Sequence, residues 1–188
     1  MAKTPSSATA AVSFPSEETS SASTETIISK DLPPDSAEEI KQFFTFTGVS
    51  SSSPQNYHCK DFFSNLISPL LKADLVQRGH VSCIFSVLPA VTNYFNGLHG
   101  GAVAAIAERV AIACARTVVA DDKEIFLAEL SISYLSAAPK NEVVVVDGSV
   151  VRSGRNLTVV AMEFKIKKSR KLVYIARATF YHMPIAKL

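Results

Sequence analysis

A carboxylate, an imidazole and two adjacent glycines stand close enough along this chain to share one piece of chemistry. They are His99, Gly100, Gly101 and Glu108, within the stretch NYFNGLHGGAVAAIAERVAIACA from Asn93 to Ala115. Two glycines at a helix start let a ligand or another backbone approach closely, and their N–H groups lie at the positive end of the helix dipole. Such donors suit a developing oxyanion, although a simple turn needing positive φ would use the same pair. On a helix, Glu108 shares a stripe with Gly101, Ala104, Ala105, Ala111, Ile112 and Ala115, none of which can pair with it. A carboxylate left unpaired among apolar neighbours is costly, so the pattern predicts an ion-pair partner elsewhere, a helix end in solvent, or a functional role. Arg109 and Arg116 lie seven apart and give the helix one basic edge.

Spacing adds a constraint. Glu108 lies about two turns, ~11 Å, from the glycines along one helix. Both ends cannot grip one small reacting atom within a single chain. If both act on the same group, a second copy supplies one of them, which predicts a homodimer with a composite site.

The surrounding sequence must position these groups. Residues 1–33 are rich in Ser, Thr and Ala and poor in large apolar side chains, which predicts a disordered tail. DSAEEIKQFF carries a capping-box pattern, Ser36 followed by Glu39, and predicts a short helix; KDFFSNLISPLLKADLV predicts a second one, broken near Pro69. Together they form a helical extension over residues 34–74. HVSCIFSVLP reads as a strand, and the apolar run 101–119 is too long for a strand and reads as a helix. Four strands follow, over 124–135, 142–152, 156–167 and 171–182, the later ones separated by the short breaks SGR and KSRK. The expected class is α+β: an antiparallel sheet curled round one long central helix that lacks a broad polar face, over residues 75–185.

NYFNGLHGGAVAAIAE, together with LSISYLSAAP and VVRSGRNLTVV, resembles the hotdog-fold acyl-CoA thioesterases of the PaaI-like group. The shared constellation is Asn six before the His, then HGG, then an acid nine after the His. The resemblance implies a hotdog fold and an active site formed between two subunits, with pairing of dimers into tetramers left open. It assigns Glu108 as the general base for water or as a nucleophile forming a mixed anhydride. The Gly100 N–H would polarise the thioester carbonyl, Asn93 would position water or substrate, and His99 would support the corner. Gly101 and the Ser153, Gly154, Arg155 hairpin would contact the CoA portion, Arg suiting phosphate by its bidentate geometry. Glu at 108 is similar to the 1,4-dihydroxy-2-naphthoyl-CoA thioesterases, whereas Arg109 and Leu127 depart from residues common in that branch. The alternatives are a hotdog hydratase or dehydratase on CoA thioesters, and a non-catalytic acyl-CoA-binding protein.

Composition fits this reading. The net charge of +2 is too small to imply nucleic acid, and no apolar run is long enough to span a membrane. Residues 140–188 hold 10 basic and 3 acidic side chains, a balance that suits an anionic ligand or a solvated face. Cys59, Cys83 and Cys114 form no CxxC or Cys/His spacing, so neither a disulfide framework nor a metal site is expected. No cofactor is expected either, CoA being part of the substrate. The chain ends Ala186-Lys187-Leu188, close to the tripeptide read by a peroxisomal import receptor. The expected location is the peroxisome, with the cytoplasm or another organelle as the alternative.

Overall fold

The computed structural model describes residues 33–46, 60 and 62–184. Residues 1–32 of the expected tail and Ala186, Lys187 and Leu188 lie outside them. The described residues fall into two units divided after Ser51. The first holds a single helix, α1 (Pro34–Phe46). It opens on Pro34, where a missing N–H removes no helical bond, and the Ala37 N–H donates to the Pro33 carbonyl at 3.0 Å. Ser36 therefore lies inside the first turn, and the expected capping box is not what starts the helix.

The second unit runs α2 (Phe62–Ile67), β1 (Lys72–Gln77), β2 (His80–Ser86), α3 (Gly100–Arg116), β3 (Lys123–Tyr134), β4 (Val143–Ser153), β5 (Leu157–Ile166) and β6 (Leu172–Pro184). The four expected late strands are all present, with ends shifted by two residues or fewer. The helix expected over 101–119 begins one residue earlier and stops at Arg116, where the Thr117 N–H and hydroxyl both turn back onto the Cys114 carbonyl, at 3.1 and 2.6 Å.

A second expectation fails. KADLV, read as part of the second helix, belongs to strand β1. Every β1 residue is exposed and the strand pairs only with β2, so no buried face imprints a period-2 pattern on its sequence. Helix α2 is correspondingly short, and Pro69 sits in a 3₁₀ turn over Ser68–Leu70 that leads into β1.

All neighbouring strands pair antiparallel, in the order β1-β2-β4-β5-β6-β3. Helix α3 touches β2, β3, β4, β5 and β6. Five strands spaced ~4.8 Å apart span about 19 Å, so a helix about 10 Å across reaches them all only if the sheet curls round it. The core is the buried side of α3, with Val103, Ile106 and Val110 set against Phe85, Phe164 and Phe180. Contact is closest at Gly148, where an added Cβ would stand 3.1 Å from Val110 Cγ1. Ile106 is fully buried in this seam, and Ile106→Val lowers the unfolding free energy by about 0.5–1.5 kcal/mol. The denaturant midpoint checks this, with the slope unchanged.

Candidate active site

The corner ahead of α3 is built by backbone hydrogen bonds from a short loop. Asn93 accepts the Gly97 N–H on its side-chain oxygen at 3.0 Å and donates its own N–H to the Gly97 carbonyl at 2.7 Å. Asn96 closes the loop with φ 57°, a left-handed value that Asn tolerates. The Leu98 and Lys140 N–H groups then tie the loop to the segment after β3, through the Ala138 and Asn96 carbonyls. Asn93 is thus first a loop-former, and its NH₂ is the donor left for other use.

His99 has extended backbone, φ −65° and ψ 133°, and caps α3: its Nδ1 accepts the Gly101 N–H at 3.0 Å. With Nδ1 an acceptor, the neutral ring carries its proton on Nε2. This cap uses the Gly101 N–H, so of the two expected donors only the Gly100 N–H has no acceptor among the described residues. Gly100 lines an open cleft of about 400 Å³ with Asn93, Gly97, Tyr134, Ser136 and Tyr174. Asn93 and Gly100 are therefore brought together on one cleft.

Tyr134 received no role from the sequence. Its hydroxyl donates to the Gly100 carbonyl at 3.1 Å, and its ring packs edge-on against Tyr174 at 5.6 Å. Tyr174 is buried, which pushes its phenol above the usual range, and its oxygen accepts the Ala138 N–H at 3.1 Å. The only sequence signal for Tyr134 was its alternation in SISYL, which any strand shows.

Glu108 lies elsewhere. It is exposed on α3, and no hydrogen bond or ion pair engages it among the described residues. The expected stripe splits: Ala111 and Ala115 enter the core, while Gly101, Glu108 and Ile112 face out, with Ala104 and Ala105 half-buried beside them. Offsets of three, four and seven cover a wide arc of the helix, and the curled sheet covers only part of it. The two arginines are occupied by backbone: Arg109 Nη2 donates to the Ser64 carbonyl at 3.5 Å and Arg116 Nη1 to the Lys123 carbonyl at 2.6 Å.

The Ser153–Gly154–Arg155 hairpin sits at the opposite end of the sheet from Gly100. The Arg155 carbonyl accepts Lys123 Nζ at 3.0 Å, and Lys123 lies beside Arg116 at the far end of α3. The length of α3 separates the two places by roughly 24 Å. Ser153 Oγ hydrogen-bonds Thr158 Oγ1 at 2.8 Å, which in turn meets His182 Nε2 at 2.8 Å, and Arg155, Lys123 and His182 line one hollow. Cys83 and Cys114 take no part: both are buried, and burial raises both thiols above their ordinary range.

Residues 95–173, which span the corner, the helix and the strands round it, match the sequence pattern described as the Thioesterase superfamily. That stretch lies within a hotdog fold. Solved hotdog structures share its architecture at low identity. Thioesterase superfamily member 2 from zebrafish is 20% identical, with 77% of this chain and 96% of that one covered and a TM-score of 0.59. The mouse counterpart is 19% identical, covering 65% and 88%, with a TM-score of 0.59. A Streptococcus mutans protein bound to acetyl-CoA is 20% identical, covering 62% and 91%, with a TM-score of 0.57. No curated protein sequence matches the chain.

Proposed function

We propose that this hotdog domain hydrolyses acyl-CoA thioesters to free acid and CoA. The observation that carries the reading is the Gly100 N–H. It is a helix N-terminal donor with no acceptor of its own, held at the wall of an open cleft by a capped and doubly tethered corner. A thioester carbonyl oxygen placed on it gains a donor aimed at the negative charge that develops on attack. Asn93 would hold water or substrate from the same cleft, and His99 would act by fixing the corner.

Glu108 supplies the second function from a second copy of the chain. As general base it takes a proton from water, whose oxygen bonds to the carbonyl carbon. The tetrahedral oxyanion then collapses, the C–S bond breaks and the CoA sulfur leaves as a thiolate that takes up a proton. As nucleophile, its oxygen would make that bond directly and water would cleave the anhydride. Two features support a two-fold partner. Strand β3 is a sheet edge twelve residues long, which presents unpaired backbone groups. The outward face of α3 sets Gly101, Ala104, Ala105 and Ile112 around its one carboxylate. If two antiparallel copies of α3 cross with their axis at Ala104, midway between residues 100 and 108, each Gly100 faces the partner's Glu108. The small side chains of Ala104 and Ala105 permit that approach.

The test is release of free CoA, followed by thiol titration, over a panel of aliphatic and aromatic acyl-CoAs. No release from any of them overturns the hydrolase reading. Arg155 would meet the CoA phosphates, and its guanidinium has no partner among the described residues. Arg155→Gln is expected to raise KM about 10-fold with kcat nearly unchanged and to flatten the dependence of KM on salt.

A further inference from the structure

Gly100 stands between two hollows of different character. On one side lies the cleft of Asn93, Tyr134 and Ser136, which mixes polar and apolar groups. On the other, with His99 and Gly101 in its lining, is an apolar cavity of about 170 Å³ between α2 and the start of α3. Its deep wall is Ile67, Val91 and Ala102, all buried; its rim is Phe63, Leu66 and Ala90. Three of these six come from α2, a segment that carries no functional motif.

A thioester bound through its carbonyl must send two substituents in two directions: the acyl chain and the sulfur arm. We propose that the acyl chain occupies the α2–α3 cavity, the sulfur arm leaves through the Asn93 cleft, and α2 thereby sets the acyl size this domain accepts. The assignment rests on the thioesterase reading above. The polarity of the two hollows decides which arm goes where, because a hydrocarbon gains free energy only where its walls are apolar. Volume decides the size. A cavity of about 150 Å³ lined by apolar side chains holds one benzene ring. The α2–α3 cavity therefore suits a short aliphatic chain or a single ring, and a fused pair of rings or a long chain exceeds it.

Binding of unreactive analogues to the full-length protein tests this without requiring turnover. In S-(2-oxoalkyl)-CoA compounds a methylene separates sulfur from the carbonyl, so hydrolysis is blocked. Calorimetric affinity is expected to rise about 4-fold per added methylene and to stop rising near about five or six carbons. A phenyl analogue binds, and a naphthyl analogue binds at least about 10-fold more weakly. Ala90→Trp, from the exposed rim, lowers the six-carbon to two-carbon affinity ratio at least about 10-fold. Phe63→Ala moves the optimum to longer chains, a gain that misfolding does not produce. A flat chain-length profile in the wild type, or profiles in both variants that coincide with it, overturns the assignment. If the profile stands while no true thioester turns over, the hydrolase reading falls by itself. If CoA is released but the profile is flat, only the acyl cavity falls.

Discussion

Glu108→Gln lowers kcat for CoA release by about three orders of magnitude on every acyl-CoA, with KM changed only slightly. The substitution keeps the size and polarity of the side chain and removes its ability to take a proton or form an anhydride. Glu108 is exposed and has no partner among the described residues, so the melting temperature is expected to stay within the range of an ordinary surface change. Equal activity in the variant would overturn the role of Glu108 and leave the hydrolase reading standing. Mass analysis of a quenched single turnover separates the two chemical routes: an acyl adduct on the Glu108 peptide marks the anhydride.

The second large effect concerns where the site is assembled. Gly100→Pro removes the N–H while leaving the helix start intact: proline is favoured at the first helical position, and the extended conformation of His99 is the one a following proline requires. An added Cβ at Gly100 meets the Tyr134 ring and hydroxyl at 3.4 Å or more, which is ordinary contact. Loss of the donor is expected to lower kcat about 100- to 1,000-fold. When Gly100→Pro and Glu108→Gln chains are co-expressed in equal amounts, random pairing makes half of the dimers mixed. Each mixed dimer has one complete site and one site lacking both groups. Activity then recovers to about a quarter of wild type, far above either variant alone. Absence of recovery in isolated mixed dimers would show that one chain supplies both groups.

Much of this architecture is legible in the sequence because burial writes periodicity. Strands β4, β5 and β6 alternate or run apolar because they line the core, and their breaks, SGR and KSRK, are short and polar. Strand β1 was invisible for the opposite reason: an exposed edge strand places no demand on side-chain polarity, so KADLVQ carries no mark of its conformation. The stripe drawn through Glu108 was half right for a related reason. Helical spacing groups residues on an arc, but only the extent of the enclosing sheet determines which part of that arc is covered.

The sequence by itself determined the helix start at the His-Gly-Gly corner, the distance from Gly100 to Glu108 along one helix, and hence the need for a second copy if both act on one group. These follow from backbone geometry that any helix of this sequence must obey. Only the tertiary structure decided that His99 consumes the Gly101 N–H and leaves the Gly100 N–H free, and that Tyr134 grips the Gly100 carbonyl from 34 residues away. It also decided that Arg155 lies at the far end of the sheet and that α2 closes an apolar cavity beside the corner. Apart from the local His99 cap, those are contacts between elements distant in the chain, fixed by strand order and sheet curvature, and local residue preferences carry no record of them.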